Sequence, residues 1–241
     1  MKKNIPNAIT CLNLLCGCAA VTFAFQGRYD MTAYMTVFSL LFDFADGLMA
    51  RMLRVHSELG KQLDSLADMV SFGLVPGVIM YHLLIQSLQL ECMDQTLFMG
   101  KLIPYLGFII TIFSAVRLAK FNLDSRQSDS FIGLPTPANT MVVVSLPMIL
   151  SPGYSALNAF ILNPYFLVLF SFLMSYLLIA EIPLMALKFK TFKWADNKIK
   201  YVFILLSLFL MIQFLYMSIP LIIFLYILIS IFSQNPLKKG V

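Results

Sequence analysis

Eight apolar runs, near 8–25, 31–52, 66–90, 97–119, 135–151, 158–187, 201–217 and 219–233, constrain this chain more than any other feature. Several reach the roughly 20 residues a helix needs to cross a hydrocarbon core. Of 241 residues 60% are hydrophobic and only 12% charged, with a mean hydropathy of +0.85. A soluble domain of this length has too little interior to hide that much apolar surface. The expected fold is an all-α polytopic integral membrane protein of about eight transmembrane helices, six to eight by the run lengths. The last two runs are read as two short helices parted at Pro220, with one long kinked helix as the alternative. Without repeats or long linkers, 1–241 reads as a single membrane domain with a core over about 1–187 and an extra helical pair at 201–233.

The opening "MKKNIPNAITCLNLLCGCAAVTFAF" places basic residues before an apolar run, as a signal peptide does. It lacks a small-x-small cleavage site, and further spans follow, so the first span is expected to be retained. Cys11, Cys16, Cys18 and Cys92 form no CxxC pair and have no histidine partners nearby, which argues against a disulfide framework or a zinc site. Lysine and arginine set the orientation. With the N-terminus inside, 15 of the 17 basic residues fall on the inner side, and only Arg28 and Lys101 fall outside. Both termini are therefore expected in the cytoplasm of a cell whose inner membrane holds the protein. The net charge of +5 is a sided charge that favours anionic headgroups, not a sign of nucleic-acid binding.

Against this background one stretch stands out. Asp43, Asp46, Asp64 and Asp68, a third of the chain's 12 acidic residues, fall within 26 positions. Asp43 and Asp46 are three apart near the end of the second run, and Asp64 and Asp68 four apart where the third begins. Each pair shares a helix face. Carboxylates converging from two adjacent helix ends repel unless cations neutralise them, and an oxygen-only donor set suits a hard divalent ion such as Mg²⁺ or Mn²⁺. Charged groups in apolar spans are costly and point to function. Gly47 and Ala50 share the stripe of Asp43 and Asp46, while Arg51 and Lys61 add positive charge and Gly60 lies on the face of Asp64 and Asp68. Metal-binding carboxylates, small residues and a fixed Arg suit a bound pyrophosphate. The competing reading, a solvated loop of ion pairs with Arg51, Arg54 and Lys61, is retained for Glu58 alone.

The run Asp43-x2-Asp46-Gly47-x2-Ala50-Arg51-x8-Gly60-x3-Asp64-x3-Asp68 resembles the signature of the CDP-alcohol phosphatidyltransferase family at all eight fixed positions. The resemblance implies displacement of CMP from a CDP-linked lipid or CDP-alcohol by a second alcohol. It implies two divalent ions on Asp43, Asp46, Asp64 and Asp68, and Asp68 as the proton acceptor. Gly47, Ala50, Arg51 and Gly60 are similar to the family's nucleotide and phosphate contacts, and Ser57 matches a position that contacts the diphosphate. "IPNAIT" is similar to the segment that touches the cytidine, which makes Pro6, Asn7 and Thr10 candidates; helix capping is the alternative for Asn7 and Thr10. A homodimer is also implied.

The acceptor is read from weaker segments. "RLAKFN" at 117–122, "FIGLPTPAN" at 131–139 and the N-terminal segment resemble the phosphatidylserine synthase branch of the family. CDP-diacylglycerol and L-serine are the substrates this implies, with phosphatidylserine and CMP as products. Arg117, Lys120, Asn122 and Arg126 are the candidate acceptor residues, since a guanidinium clamps a carboxylate; positive-inside anchoring is the alternative for the cations, and a loop cap for Asn122 and Gln127. Gly133, Pro135 and Pro137 are expected to shape the turn into the fifth span. Family members that use glycerol 3-phosphate carry an Arg where this chain reads "CLNLL", which leaves glycerol 3-phosphate or inositol acceptors as the alternative. His56 and His82 are read as structural. A divalent-cation transporter is the reading from another class, disfavoured because the acids sit at helix ends rather than mid-membrane.

Overall fold

The sharpest local signal is the turn at Gln26–Arg28, which forces the first two helices side by side. A computed structural model describes residues 4–55, 57–90, 101–123, 131–150, 153, 155–185 and 194–233. In it α1 (Asn4–Phe25) ends on Gly27, whose φ of +70° is the left-handed conformation favoured for glycine after a helix. The Gly27 and Arg28 amides donate to the carbonyls of Ala24 and Phe23 at 3.0 Å, and α2 (Tyr29–Leu53) starts at once. Two helices joined by so short a turn must run antiparallel and in register. Asn13 and Ser39, thirteen residues either side of Gln26, are hydrogen-bonded, and so are Thr10 and Asp46, eighteen either side of Arg28.

The facing stripes are made of small or polar residues. Along α1 the buried positions are Pro6, Thr10, Asn13, Gly17, Ala20 and Ala24. Along α2 they include Thr32, Thr36, Ser39 and Asp46. Without a hydrophobic drive between helices in lipid, such residues allow the close backbone approach that holds spans together. Large side chains point outward instead: Leu15 and Phe44 are 63% and 65% exposed, as lipid-facing residues are.

After α2 the chain turns through Arg54, whose amide caps the helix, and restarts at Ser57, whose hydroxyl accepts from the Gly60 amide at 2.8 Å. α3 (Glu58–Asp68) passes into six residues of π-helix, Met69–Leu74, and then into α4 (Val75–Leu90). The cause is Pro76. It has no N–H to donate to the carbonyl four residues back, that of Phe72, so the regular ladder is interrupted. This composite helix is the centre of the bundle, with 61% of its apolar window buried against 28% or less for the other spans. Val75, Val78, Ile79, Met80, Leu83 and Leu84 of α4 are fully or nearly fully buried.

Around it lie a 3-10 turn (Ile103–Phe108) leading into α5 (Ile109–Leu123), then α6 (Thr136–Ile149), α7 (Ser155–Ile161), α8 (Pro164–Ile179), α9 (Trp194–Phe214) and α10 (Ser218–Ser233). β1 (Phe131–Ile132) and β2 (Pro183–Leu184) form an antiparallel clip of two residues each, the β-pairing among the described residues. Beside it Gly133, at φ +75°, leads through Pro135 and Pro137 into α6; a side chain at 133 would meet the Leu178 carbonyl oxygen at 2.7 Å. The expected turn is therefore present.

Among the described residues five helices are long and apolar enough to cross a membrane, or six if the pair α7 and α8, bent by 58°, counts as one span. The chain is an all-α polytopic membrane protein, and each of the eight apolar runs contributes described helical residues. The count falls short of eight because α6 has only 14 residues and because 197–232 is a single helical stretch of 36 residues. That stretch is nonetheless folded back at Leu215–Met217, where Leu215 has φ +44°. The rings of Phe203 and Tyr226 are 5.8 Å apart, whereas a straight helix would separate them by about 35 Å. The Tyr226 hydroxyl donates to the Met185 carbonyl at 2.8 Å, tying α10 to the β-clip. Cys11, Cys16 and Cys18 are unpaired, while Cys92 and His56 lie outside the described residues. His82 packs its ring edge-on against Phe25 and Tyr81, in keeping with a structural role.

The α1 stripe meets the π-helical segment at Gly17, where an added Cβ would collide with Ser71 Oγ and lie 3.0 Å from its Cα. Gly17→Leu is expected to lower stability by about 1–3 kcal/mol. Gly47→Ala, in α2 with nothing within 4 Å of the added carbon, is expected to raise the melting temperature slightly instead. Thermal unfolding of the two variants in one detergent checks both signs.

Candidate active site

The α1–α2 hairpin and the α2–α3 turn bring the N-terminal half of α1, the C-terminal half of α2 and all of α3 to one end of the bundle. Asp43, Asp64 and Asp68 each offer a carboxylate oxygen within 4.8 Å of the others, and all three are half-buried. Three like charges this close and partly removed from water cannot all remain ionised without a cation. The donor set, all oxygen and all acidic, fits a hard divalent ion. Asp46 stands beside the group and not in it. Its Oδ2 accepts a hydrogen bond from the Thr10 hydroxyl at 2.6 Å, which turns the carboxylate toward α1. The four aspartates expected as one cluster thus divide into three that converge and one that is held by α1.

An open cleft of about 300 Å³ lies against them, lined by Pro6, Asn7, Thr10, Asp46, Gly47, Ala50, Val55, Ser57, Gly60, Lys61 and Asp64. Nine of these residues were singled out in the sequence for metal or nucleotide contact, and the structure brings all nine to one surface. Gly47 leaves open space where a side chain would stand. At Gly60 the reason is close approach: an added Cβ would lie 3.0 Å from Asn7 Oδ1 and 3.1 Å from Ser57 Oγ. Arg51 is different. It is exposed and lies outside the cleft lining, which takes its positive charge from Lys61.

Asn13 is the residue that sequence reasoning missed. It is fully buried at the meeting of three segments. Its amide Nδ2 donates to Asp68 Oδ1 at 3.3 Å, and its Oδ1 accepts from the hydroxyls of Ser39 and, at 2.8 Å, Ser71. Both hydroxyls also reach the Asn13 main-chain carbonyl at 3.2 Å. One side chain therefore links α1, α2 and the π-helical segment and orients the last aspartate. Its position, three residues after Thr10 on the same stripe, was the signal available in the sequence.

Arg117 of α5, only 8% exposed, has its guanidinium under the electrostatic influence of the Asp68 carboxylate and 5.9 Å from the Phe121 ring. The other expected acceptor residues do not gather with it. Lys120 is exposed. Asn122 is committed to α3: its amide donates to Ser65 Oγ at 2.7 Å, and its main-chain carbonyl accepts from Lys61 Nζ at 3.0 Å. Arg126 and Gln127 lie outside the described residues.

The sequence also has relatives. A CDP-diacylglycerol–serine O-phosphatidyltransferase of Helicobacter pylori (strain J99) is 33% identical over 141 residues, which cover 58% of this chain and 55% of the relative. One of Bacillus subtilis (strain 168) is 29% identical over 193 residues, 78% of this chain and 91% of the relative. An archaetidylserine synthase of Methanothermobacter thermautotrophicus is 28% identical over 158 residues, 64% and 61% of the two chains. The chain thus spans little more than half the length of the Helicobacter relative. The model of the CDP-alcohol phosphatidyltransferase family matches residues 3–232, from the start of α1 almost to the end of α10. With its carboxylates, cleft and helix bundle all inside that match, the chain belongs to the CDP-alcohol phosphatidyltransferase family.

Proposed function

We propose that the protein transfers the phosphatidyl group of CDP-diacylglycerol to the hydroxyl of L-serine, forming phosphatidylserine and releasing CMP. The observation that carries this reading is the convergence of Asp43, Asp64 and Asp68 beside a cleft lined by the rest of the motif. Relatives whose names specify serine support the choice of acceptor. The sided distribution of lysine and arginine supports a site that opens to the cytoplasm from an inner membrane.

Asp43, Asp46, Asp64 and Asp68 hold one or two divalent ions in this reading, Mg²⁺ or Mn²⁺. When bound, such ions polarise the diphosphate and neutralise charge on the departing CMP. The cleft residues Pro6, Asn7, Thr10, Gly47, Ala50, Ser57 and Gly60 receive the nucleotide and diphosphate, and Lys61 offsets phosphate charge. Asp68 takes the proton of the serine hydroxyl as its oxygen attacks the phosphorus that carries the diacylglycerol. The new P–O bond forms, the P–O bond to CMP breaks, and CMP leaves with the electron pair. Asn13 keeps Oδ1 of Asp68 in place while this happens, as a positioning residue.

Purified protein is expected to release CMP from CDP-diacylglycerol only when serine and a divalent metal are both present, and EDTA is expected to abolish release. Release with glycerol 3-phosphate or inositol but not with serine would overturn the acceptor assignment. Asp68→Asn should lower kcat by roughly 10²-fold or more while keeping metal-dependent binding of CDP-diacylglycerol. Asn13→Ala leaves both serine hydroxyls a partner in the main-chain carbonyl and keeps the cleft lining intact. It is expected to cut kcat about tenfold with KM for CDP-diacylglycerol nearly unchanged. Unchanged kcat in that variant would reduce Asn13 to a packing residue.

A further inference from the structure

Lys61 belongs to the opening turn of α3, where the positive end of the helix dipole disfavours a cation. A second helix offsets this. The Lys61 side chain crosses to α5 and donates to the Asn122 carbonyl at 3.0 Å. Asn122 lies in the last turn of α5, whose carbonyls have no partner within the helix. A lysine placed there satisfies the carbonyl and the negative end of the dipole together.

Two further bonds close this contact into a ring. The Asn122 amide donates to Ser65 Oγ at 2.7 Å, and Ser65 Oγ donates to the Lys61 carbonyl at 3.2 Å. Lys61 and Ser65 are one turn apart and share a face of α3. That face therefore holds both the side-chain amide and the main-chain carbonyl of one residue at the end of α5. The rest of α5 has its own attachment, since Thr111 donates to the Gly73 carbonyl at 2.8 Å. Of the three residues in the ring, Lys61 alone lines the cleft, beside Ser57, Gly60 and Asp64. The cation of the cleft lining is thus occupied by a neutral carbonyl outside the cleft.

Resting on the reading that this cleft receives the diphosphate of the CDP-lipid, we infer that the end of α5 is an autoinhibitory clasp, which holds Lys61 back in the empty protein and lets go when the lipid binds. A hydrogen bond to a charged phosphate oxygen is about twice as strong as one between neutral groups, so the diphosphate draws the ammonium over. The flexible aliphatic stem of lysine lets the ammonium swing while α3 stays in place. Asn122 is outside the cleft, so its carbonyl loses this donor as the ammonium turns inward. The last turn of α5 then rests on the Ser65 bond and loosens, and it closes again when CMP leaves. The exchange is reciprocal: whatever weakens the clasp strengthens binding of the lipid.

The test is equilibrium binding of CDP-diacylglycerol to the purified full chain in nanodiscs, with Mg²⁺ and without serine. Ser65→Ala and Asn122→Ala break the ring from outside the cleft. Each should lower Kd about threefold, as one net hydrogen bond would. Ser65→Thr keeps the hydroxyl and should bind as wild type does. Lys61→Met should raise Kd, and adding Ser65→Ala to it should change nothing further, because no ammonium is left to free. Amide hydrogen exchange at residues 119–123 should rise when the lipid binds wild type and should not respond to the lipid in Lys61→Met. A ring that only braces the bundle gives the opposite sign, with binding weakened or unchanged in Ser65→Ala and Asn122→Ala. That result overturns the clasp and leaves the function standing. A wild type that shows no metal-dependent binding of CDP-diacylglycerol overturns the reading of the cleft and the clasp together.

Discussion

Mutual repulsion among carboxylates is the constraint on which this structure turns. Asp43, Asp64 and Asp68 bring oxygens within 4.8 Å of one another in a half-buried setting, and Asp46 adds a fourth charge alongside. At such spacing, with water partly excluded, the repulsion is large enough to push α2 and α3 apart. The cluster persists because other contacts already fix those helices. Thr10 holds Asp46, Asn13 holds Asp68, and both belong to α1. The first helix thus acts as a splint across the acidic pair of helices, with neutral donors aimed at the carboxylates. The carboxylate oxygens are thereby held in an arrangement that fits a hard divalent ion.

That splint depends on close approach along the whole length of α1. Its buried stripe of Pro, Thr, Asn, Gly and Ala lets α2 and the π-helical segment come within hydrogen-bonding reach of its side chains and backbone. Gly17 admits Ser71 against the helix backbone, and Ser71 in turn bonds Asn13 one turn away. The packing that holds the membrane bundle and the bonds that aim the aspartates are one continuous set of contacts. Large residues on the same helices serve the opposite face, where lipid replaces protein as the solvent.

Much of this was legible in the sequence, and the boundary of legibility is physical. Helical repeat and span length follow from hydropathy, so the all-α membrane class and the positions of the helices could be read directly. The aspartates could be read because charge in an apolar span has few explanations, and their spacing fixed which face they share. The fold-back at Leu215 was harder to specify, since a non-glycine residue at positive φ gives little warning in sequence. The bond between Asp46 and Thr10 depends on the hairpin register between α1 and α2. Asn13 stayed hidden because a neutral amide in an apolar helix does not advertise itself as a charge does. The bond from the Asn122 amide to Ser65 was equally out of reach, since it joins residues 57 positions apart.

The π-helical segment explains how α5 and α6 stay aligned with Asp68. Pro76 withdraws the donor that would have bonded the Phe72 carbonyl, and the Thr140 hydroxyl of α6 supplies the replacement at 2.8 Å. The next carbonyl, that of Gly73, accepts from Thr111 of α5 at the same distance. A break in the central helix is thereby satisfied by the two helices that carry Arg117 and Asn139. Through these carbonyls α5 and α6 hold the central helix by polar contacts as well as by packing. Because they do, their register is tied to Asp68 through at most five residues of hydrogen-bonded backbone rather than through loops. The aspartate and the groups beyond it are thus fixed to one rigid strut, while α1 fixes the same aspartate from the other side. The surroundings of that carboxylate are thus set by helix packing.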